Sequence, residues 1–544
     1  MQEGVSSGRI SGSGPAGSVP APDRPLKEET LRNGEAGMKI ADLIRKLDYH
    51  FNDIKGEAVT DPELTRTLLQ TEIKGIYNDS RKVEEGGLFF CIKGEITDGH
   101  KYIPQVLEKG ARALVVQEDQ DITPYVKGEA PVVIRVYDTR YAMAWISAAW
   151  YGNPASRMKI IGITGTKGKT TTTYMVRNIL QNAGYKVGLV GTIETLYGDV
   201  KIPSPTTTPE SMTLQKYFRD MADAGMEAVV MEVSSQALMM HRTQGFIFDY
   251  GIFTNLSPDH IGHGEHRDFD HYLECKSMLF KQCRVGIVNG DDPYTDRILD
   301  GHTCSVETYG LKETNDLYAE DLDLIRKPGE LGIRFHVKGL LDFDAEVPMP
   351  GRFSVYNALC AIAICRHFNA DTEAIRKALL GIKVRGRIEM VKVSDHFTLL
   401  IDYAHNALSL RSLLNSLRDY EPHRLVTLFG CGGDRDPERR FLMGEESGRT
   451  SDFTIITSDN PRTEDPMKII EDIETGIKRT DGAYITIPDR KEAIAYAIHN
   501  GQEGDIIVLA GKGHEDYQII GKTKHHMDER ELIRDILEED ARRT

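Results

Sequence analysis

The strongest chemical signal in the chain is the run Gly162-Ile-Thr-Gly165-Thr166-Lys167-Gly168-Lys169-Thr170-Thr171-Thr-Thr173. An apolar stretch, Lys159-Ile-Ile-Gly-Ile163, precedes it. An amphipathic one follows, with Met175, Val176, Ile179, Leu180 and Ala183 on one face and Gly184 as its stop. A strand–loop–helix unit of this kind suits phosphate. Glycines let backbone N–H groups approach the oxygens, and the helix N-terminus favours negative charge. Lys169 would neutralise a transferring phosphate, and the Thr170 hydroxyl could ligate magnesium. The strict G-x-x-x-x-G-K-[ST] pattern needs glycine at 163, where isoleucine stands, so the loop is a variant of it. A plain Gly-rich turn before a helix is the bland alternative, and Gly-Lys-Thr in this setting argues against it.

Two further stretches could complete such a site. Glu232 closes the apolar run Ala228-Val-Val-Met231. Alone it reads as a solvated strand-end charge; beside a phosphate loop it reads as part of a magnesium shell. Downstream, Asn255-Leu-Ser-Pro-Asp-His260-Ile-Gly-His263-Gly-Glu-His266-Arg-Asp-Phe-Asp-His271 is dense in histidine. Its spacing fits neither H-E-x-x-H nor a Cys/His finger, and no cysteine stands within it. One histidine is therefore expected to be a ligand and the others to lie on a polar loop.

These groups need a scaffold. A chain of 544 residues exceeds one ordinary core and calls for two to four domains. From Met38 onward short apolar runs alternate with amphipathic stretches, which predicts α/β architecture with mostly parallel sheets. Residues 1–37 carry no aromatic residue, are rich in Gly, Ser and Pro, and read as a disordered extension. Met38-Lys-Ile-Ala-Asp-Leu-Ile is helix-like and opens the folded part. Many apolar runs end on polar groups: Glu232, Thr254-Asn255, Asp402, Gly430-Cys-Gly-Gly-Asp434, Asp459-Asn-Pro-Arg462 and Gly511-Lys-Gly-His-Glu515. Ligands of open α/β sheets sit beyond the carboxyl ends of strands. Two groups of such ends, before and after about residue 383, predict two ligand-facing sheets across a cleft.

Composition excludes several classes. The net charge of −16 disfavours non-specific nucleic-acid binding. Seven scattered cysteines without a C-x-x-C pair argue against a zinc site or a disulfide framework and fit a reducing, cytoplasmic setting. No run approaches the roughly 20 apolar residues of a membrane span, so no stable membrane insertion is expected.

Taken together, the motifs resemble the Mur ligase family. The phosphate loop, Glu232-Val-Ser-Ser, Asn255-Leu-Ser-Pro-Asp-His260, Glu274-Cys-Lys276, Val288-Asn289-Gly-Asp-Asp292, Gly351-Arg-Phe-Ser-Val-Tyr-Asn357, Gly386-Arg-Ile-Glu389 and Asp402-Tyr-Ala-His405 follow the family's order. Gly430-Cys-Gly-Gly-Asp-Arg435-Asp, Asp459-Asn-Pro-Arg462, Gly511-Lys-Gly-His-Glu515, Asp79-Ser-Arg81 and Thr97-Asp-Gly-His100 are similar to its MurE type. The resemblance covers the chain from about Met38 to its end. It implies three α/β domains: a UDP-binding one over 38–153, a P-loop ATPase-like one over 154–382 and a Rossmann-like one for the amino acid over 383–544. It also implies a reaction. ATP phosphorylates the terminal carboxylate of UDP-MurNAc-L-Ala-D-Glu, and an amine displaces phosphate from the acyl phosphate. A monomer acting on small molecules is expected.

By resemblance, Lys169, Lys276 and His260 are catalytic, and Thr170, Glu232, His260 and Lys276, the last as a carbamate, hold magnesium. Gly165, Thr166, Lys167, Gly168, Lys169, Thr170, Thr171, Asn289, Asn357, Arg387, Asp402 and His405 match the ATP-binding positions. Thr207, Thr208, Ser234 and Arg242 match those for the UDP-MurNAc-peptide. Several have bland readings too: Lys276 an exposed helical lysine, Asn357 a helix-start residue, Asp402 and His405 a capping pair, Arg242 a surface ion pair, and Thr206-Thr-Thr-Pro-Glu210 a helix start with its proline.

The acceptor is read from Asp459-Asn460-Pro-Arg462. Meso-diaminopimelate ends in a second amino-acid centre with its own carboxylate, whereas lysine ends in an ammonium alone. An arginine grips a carboxylate with two parallel hydrogen bonds and repels an ammonium. Arg435 matches a second arginine of that pocket, Gly511 lies at its edge, and Glu515 and Asp459 suit the distal ammonium. Gln236, Ser354 and Ala407-Leu408 depart from the family's usual residues, which leaves room for an altered acceptor such as L-lysine or for a non-catalytic paralogue.

Overall fold

The apolar runs become strands of three main sheets with helices packed against them. The computed structural model describes residues 37–94, 97–128, 130–259, 261, 262 and 265–543. Of the extension read over residues 1–37, residues 1–36 lie outside them. The described chain opens on a strand and not on the expected helix. Met38–Lys39 is a short strand paired antiparallel with Glu72–Ile73, and the helix begins only at Ile40.

The first sheet has five strands, ordered His50–Asn52, Val132–Val136, Ala113–Gln117, Gly87–Phe90, Gly75–Tyr77. It is parallel except at the His50–Asn52 edge. Helix Thr139–Trp150, capped by Asp138 on Arg140 N and Tyr141 N, leads out of it.

The central sheet has eleven strands. Its parallel heart runs Val187–Val190, Ala228–Glu232, Lys159–Thr164, Phe248–Phe253, Cys283–Asn289, Ser305–Gly310. Chain direction across the sheet reverses beside Lys159–Thr164, the switch point at which an open α/β sheet forms its ligand crevice. Val187–Val190, Ala228–Glu232 and Lys159–Thr164 are buried on both faces, which is why they read as continuous apolar runs. Helix Lys169–Asn182 lays Met175, Val176, Ile179 and Leu180 against the sheet and against helix Arg352–Arg366. Each such burial contributes about 1.5–3 kcal/mol. The antiparallel strands Leu317–Lys327, Glu330–Gly339 and Phe343–Val347 extend one end of the sheet.

The third sheet has six strands, ordered Glu389–Val391, Thr398–Asp402, Ile506–Ala510, Leu425–Phe429, Phe453–Ile456, Tyr484–Thr486, and is parallel except at Glu389–Val391. Asp402 pairs with Ala510, so the carboxyl ends of neighbouring strands lie level. The second and third sheets share a hydrophobic cluster to which helix Ala407–Arg418 contributes Leu410, Leu413, Leu414 and Leu417. Tyr420 Oη donates to Gly332 O at 2.8 Å and accepts from Gly351 N at 3.2 Å across the same seam. Among the described residues no helix is long and apolar enough to cross a membrane.

Candidate active site

The phosphate loop leaves strand Lys159–Thr164 and enters helix Lys169–Asn182. Two of its glycines are required by the fold. Gly165 has φ +140°, and a Cβ there would lie 2.0 Å from Thr254 Oγ1. Gly168 has φ +85°, and its Cβ would lie 2.4 Å from Asn357 Oδ1. Asn255 braces the loop from the next strand end. Its Oδ1 accepts from Lys167 N at 3.0 Å, its Nδ2 donates to Lys167 O at 3.0 Å, and its carbonyl accepts from Thr166 N at 2.8 Å.

Two lysines converge on one carbonyl. Lys169 Nζ donates to Gly165 O at 2.8 Å and to Thr166 O at 3.0 Å, and Lys276 Nζ donates to Gly165 O at 2.9 Å. Lys276 is only 2% exposed and lies 4.5 Å from the Tyr272 ring centroid. Burial, followed by the charge of Lys169, holds its proton affinity well below that of an ordinary lysine. The exposed-lysine reading is therefore wrong for this position. Burial also lowers Lys169, and Glu232 opposes that shift.

Glu232 is 1% exposed and fully engaged. Thr170 Oγ1 donates to its Oε2 at 2.9 Å, Thr192 Oγ1 donates to Oε2 at 3.0 Å, and Thr192 N donates to Oε1 at 2.8 Å. Thr192 was not singled out from the sequence. The signal was available, because it lies just beyond strand Val187–Val190, at the same edge of the sheet where Glu232 ends its own strand. His260 lies outside the described residues. Of its histidine neighbours, His266 Nε2 lies 2.8 Å from Ser235 Oγ. Cys275, one helical turn beyond His271, brings its sulfur within 4.8 Å of ring nitrogens of His266 and His271.

The residues matched to the UDP-MurNAc-peptide form a chain leading away from Glu232. Thr207 Oγ1 lies 3.1 Å from Thr192 Oγ1. Thr208 Oγ1 donates to Glu232 O at 2.9 Å and accepts from Ser234 N at 3.1 Å. Ser234 Oγ caps the following helix by accepting from Ala237 N. Arg242 donates to Thr208 O at 3.1 Å and pairs with Glu210 at 2.8 Å. The proline-led helix start is corrected: the helix begins at Ser211, after Glu210 stays extended with ψ 148°.

On the nucleotide side, Asn289 Nδ2 donates to Thr254 O at 2.9 Å. Asn357 lies mid-helix in Arg352–Arg366, not at its start, and accepts from Thr172 Oγ1 at 3.3 Å. Thr171 is buried in the first turn of its helix. Asp402 accepts from Ile388 N at 2.9 Å and Ala404 N at 2.8 Å, and burial raises its pKa against the pull of Arg387. The capping role read for Asp402 and His405 belongs instead to Asn406, whose Oδ1 accepts from Ser409 N at 2.8 Å. His405 Nδ1 lies 2.8 Å from Tyr403 O. Lys167 Nζ donates to Leu408 O at 3.1 Å, so the phosphate loop touches the third sheet's domain directly.

Tyr403 stands between this cluster and the next. Arg387 lies 4.7 Å from its ring centroid, and the rings of His405 and His514 lie 4.6 and 4.7 Å away. Burial, followed by the charge of Glu515, pushes its phenol up to about 12.

Beyond it, Asp459, Asn460, Arg462, Gly511 and Glu515 come together at the carboxyl edge of the third sheet. Asn460 Nδ2 donates to Glu515 Oε2 at 3.0 Å. Arg462, with φ +51°, donates from Nη1 to Gly433 O at 2.7 Å. A Cβ at Gly511 would lie 3.1 Å from Asp459 Oδ2. Arg435 is not drawn in: it is exposed, and its one described hydrogen bond goes to Asp434 O at 3.4 Å.

Comparison with known proteins assigns the chain. Three family descriptions match along its length: "Mur ligase family, catalytic domain" over residues 72–151, "Mur ligase middle domain" over 163–365, and "Mur ligase, glutamate ligase domain" over 386–513. The chain belongs to the Mur ligase family. This Mur ligase is 42% identical over 505 residues to the UDP-N-acetylmuramoyl-L-alanyl-D-glutamate–2,6-diaminopimelate ligase of Caldanaerobacter subterraneus subsp. tengcongensis, covering 92% of this chain and 99% of that one. It is 42% identical over 502 residues to ligase 1 of that name from Clostridium acetobutylicum, covering 91% and 99%. A solved structure of a UDP-N-acetylmuramoyl-L-alanyl-D-glutamate–2,6-diaminopimelate ligase superposes with a TM-score of 0.65 at 26% identity, covering 93% of this Mur ligase and 99% of that chain.

Proposed function

We propose that this Mur ligase joins meso-diaminopimelate to UDP-MurNAc-L-Ala-D-Glu in peptidoglycan precursor synthesis, cleaving ATP to ADP and phosphate. The observation that carries the reading is the meeting of Lys169 and Lys276 at the Gly165 carbonyl, beside Thr170 and Glu232. A ligase of this kind must bring two anions together, the γ-phosphate and a carboxylate, and needs positive charge at the junction; Lys169 supplies it directly, and magnesium held by Thr170, Glu232 and a carbamylated Lys276 would add to it. The carboxylate oxygen bonds to the γ-phosphorus as the bond to ADP breaks. The neutral amine then attacks the carbonyl carbon, and phosphate leaves from the tetrahedral intermediate as the nitrogen sheds its proton. Lys169 follows the charge on the γ-phosphate. Asn289, Asn357, Arg387, Asp402 and His405 frame the nucleotide, and Thr207, Thr208, Ser234 and Arg242 orient the peptide end of the sugar nucleotide. The names of the close relatives support the choice of acceptor.

The residues present fit magnesium. Thr170 Oγ1 and Glu232 Oε2 are hard oxygen donors held 2.9 Å apart at the loop. When bound, magnesium supplies positive charge to the phosphate oxygens.

Lys276 fits carbamylation equally well. Only a neutral amine adds to carbon dioxide, forming an N–C bond and releasing one proton. The depressed proton affinity of Lys276 supplies the neutral form below the ordinary lysine range. The carbamate anion would also turn the repulsion between Lys276 and Lys169 into attraction. Uptake is expected to rise as pH climbs through the depressed value and to be lost as pH falls below it. Stripping carbon dioxide from the buffer is expected to lower turnover by on the order of tenfold or more, with bicarbonate restoring it. Isotopically labelled bicarbonate should give a carbamate signal that is absent from Lys276→Ala; an identical signal in that variant would place the carbamate elsewhere.

Phosphate release with ATP, magnesium and UDP-MurNAc-L-Ala-D-Glu, comparing meso-diaminopimelate with L-lysine, tests the whole reading. Turnover with diaminopimelate alone is expected. Turnover with lysine alone would keep the ligase and discard the acceptor, and turnover with neither would discard both.

A further inference from the structure

We propose that Lys512 is the positioning residue that sets the charge and geometry of the amino-acid pocket, an inference that rests on the diaminopimelate reading above. Lys512 follows strand Ile506–Ala510 and is 0% exposed. A buried ammonium is costly unless it is paired and fully hydrogen-bonded. This one is. It donates to Asn460 Oδ1 at 3.0 Å, to Glu515 Oε2 at 2.9 Å and to the carbonyl of Tyr517, with Asp459 Oδ1 at 3.9 Å. An ammonium has three hydrogens, and three acceptors take them. Lys512 therefore has no donor left for a substrate, and its effect must pass through the groups it holds.

The held groups are the ones that would meet the amino acid. Asn460 Oδ1 also accepts from Ile519 N at 2.9 Å, so two donors fix the oxygen and turn the amide nitrogen toward Glu515. Glu515 Oε2 receives both Lys512 and Asn460, while no described hydrogen bond goes to its Oε1 or to the Asp459 carboxylate. Two carboxylates and one ammonium leave one net negative charge at this end of the pocket, matched to a single substrate ammonium. The Arg462 guanidinium, on the same loop as Asp459, supplies the opposite sign. The combination suits the zwitterionic far end of a diamino diacid. Without Lys512 the pocket would hold an uncompensated second negative charge, and the Asn460 oxygen would keep only Ile519 N as a donor, which favours a bare cation over a zwitterion.

Lys512→Met and Lys512→Gln test this, with melting temperature recorded for each. Lys512→Met is expected to raise KM for diaminopimelate tenfold or more and to cut discrimination against L-lysine by a similar factor. KM for ATP and the amine-independent formation of acyl phosphate should change less than twofold. Lys512→Gln keeps amide donors without the charge and is expected to fall between Lys512→Met and wild type. It carries the test if the methionine variant does not fold. Unchanged KM for diaminopimelate, or equal losses on the ATP and amine sides, overturns the inference, as does failure of both variants to fold, which would make Lys512 a structural ion. Wild-type protein that turns over with neither amine removes the functional reading, and this inference with it. Wild-type turnover with indifferent Lys512 variants removes the inference alone.

Discussion

Lys169→Ala is expected to abolish measurable acyl-phosphate formation, with turnover falling about a thousandfold or more and the fold intact. Removing one preorganised group that stabilises developing charge costs about 2.7–4 kcal/mol, roughly a hundred- to a thousandfold in rate. Lys169 should lie at the upper end, because it stands where two anions approach each other. In the structure its ammonium is parked on Gly165 O and Thr166 O, within the loop it serves. An arriving γ-phosphate replaces those carbonyls with full negative charges, so the exchange favours the phosphate. The stability cost of the alanine variant should be small. Two described hydrogen bonds go, each worth about 0.5–1.5 kcal/mol, but Gly165 O keeps Lys276 as a donor. Substrate-dependent ADP release without added amine isolates the step. Near-normal release from the alanine variant would refute the role assigned to Lys169.

Parallel strands buried on both faces write themselves as apolar runs, so the phosphate loop, Glu232, Asp402 and the loop after Phe453–Ile456 could all be placed at strand ends. The antiparallel ribbon Leu317–Lys327 with Glu330–Gly339 did not stand out, because Glu320, Asp321 and Asp323 interrupt its apolar alternation. Local capping was read less well. Asn406 rather than Asp402 caps helix Ala407–Arg418, because Asp402 spends its oxygens on Ile388 N and Ala404 N.

Burial was the hardest property to read. Nothing in Glu274-Cys-Lys276 says that the lysine lies beneath the phosphate loop, since that follows from how helix Phe269–Ser277 docks under Gly165. Lys512 was hidden in the same way. Between two glycines it looks like an exposed loop residue, and only the convergence of Asn460, Glu515 and Tyr517 makes it a buried hub. Both lysines depend on contacts between segments far apart in sequence, which no local pattern encodes.

Arg462 allows the acceptor side to be tested as sharply as Lys169 allows the phosphate side. Arg462→Ala is expected to lower kcat/KM for diaminopimelate by about thirtyfold to a thousandfold, the equivalent of about 2–4 kcal/mol for losing a two-point grip on a carboxylate. KM for ATP should stay within about twofold. The loop itself is held by backbone bonds that alanine keeps: Arg462 N donates to Ile519 O at 3.0 Å, and Gly521 N donates to Arg462 O at 2.7 Å. What alanine does meet is the left-handed backbone at φ +51°, which costs about 1–2 kcal/mol for a residue with a Cβ. Arginine already bears that cost in the native protein, so the substitution adds little of it. Arg462→Gly separates the two effects, because glycine adopts this conformation without the penalty. If the guanidinium is what matters, alanine and glycine lose diaminopimelate use alike and both spare ATP. If the residue serves the loop alone, alanine, which bears the same backbone strain as arginine, keeps near-normal diaminopimelate use, and glycine keeps it too. Equal damage to ATP and diaminopimelate use in both variants would remove Arg462 from the pocket altogether.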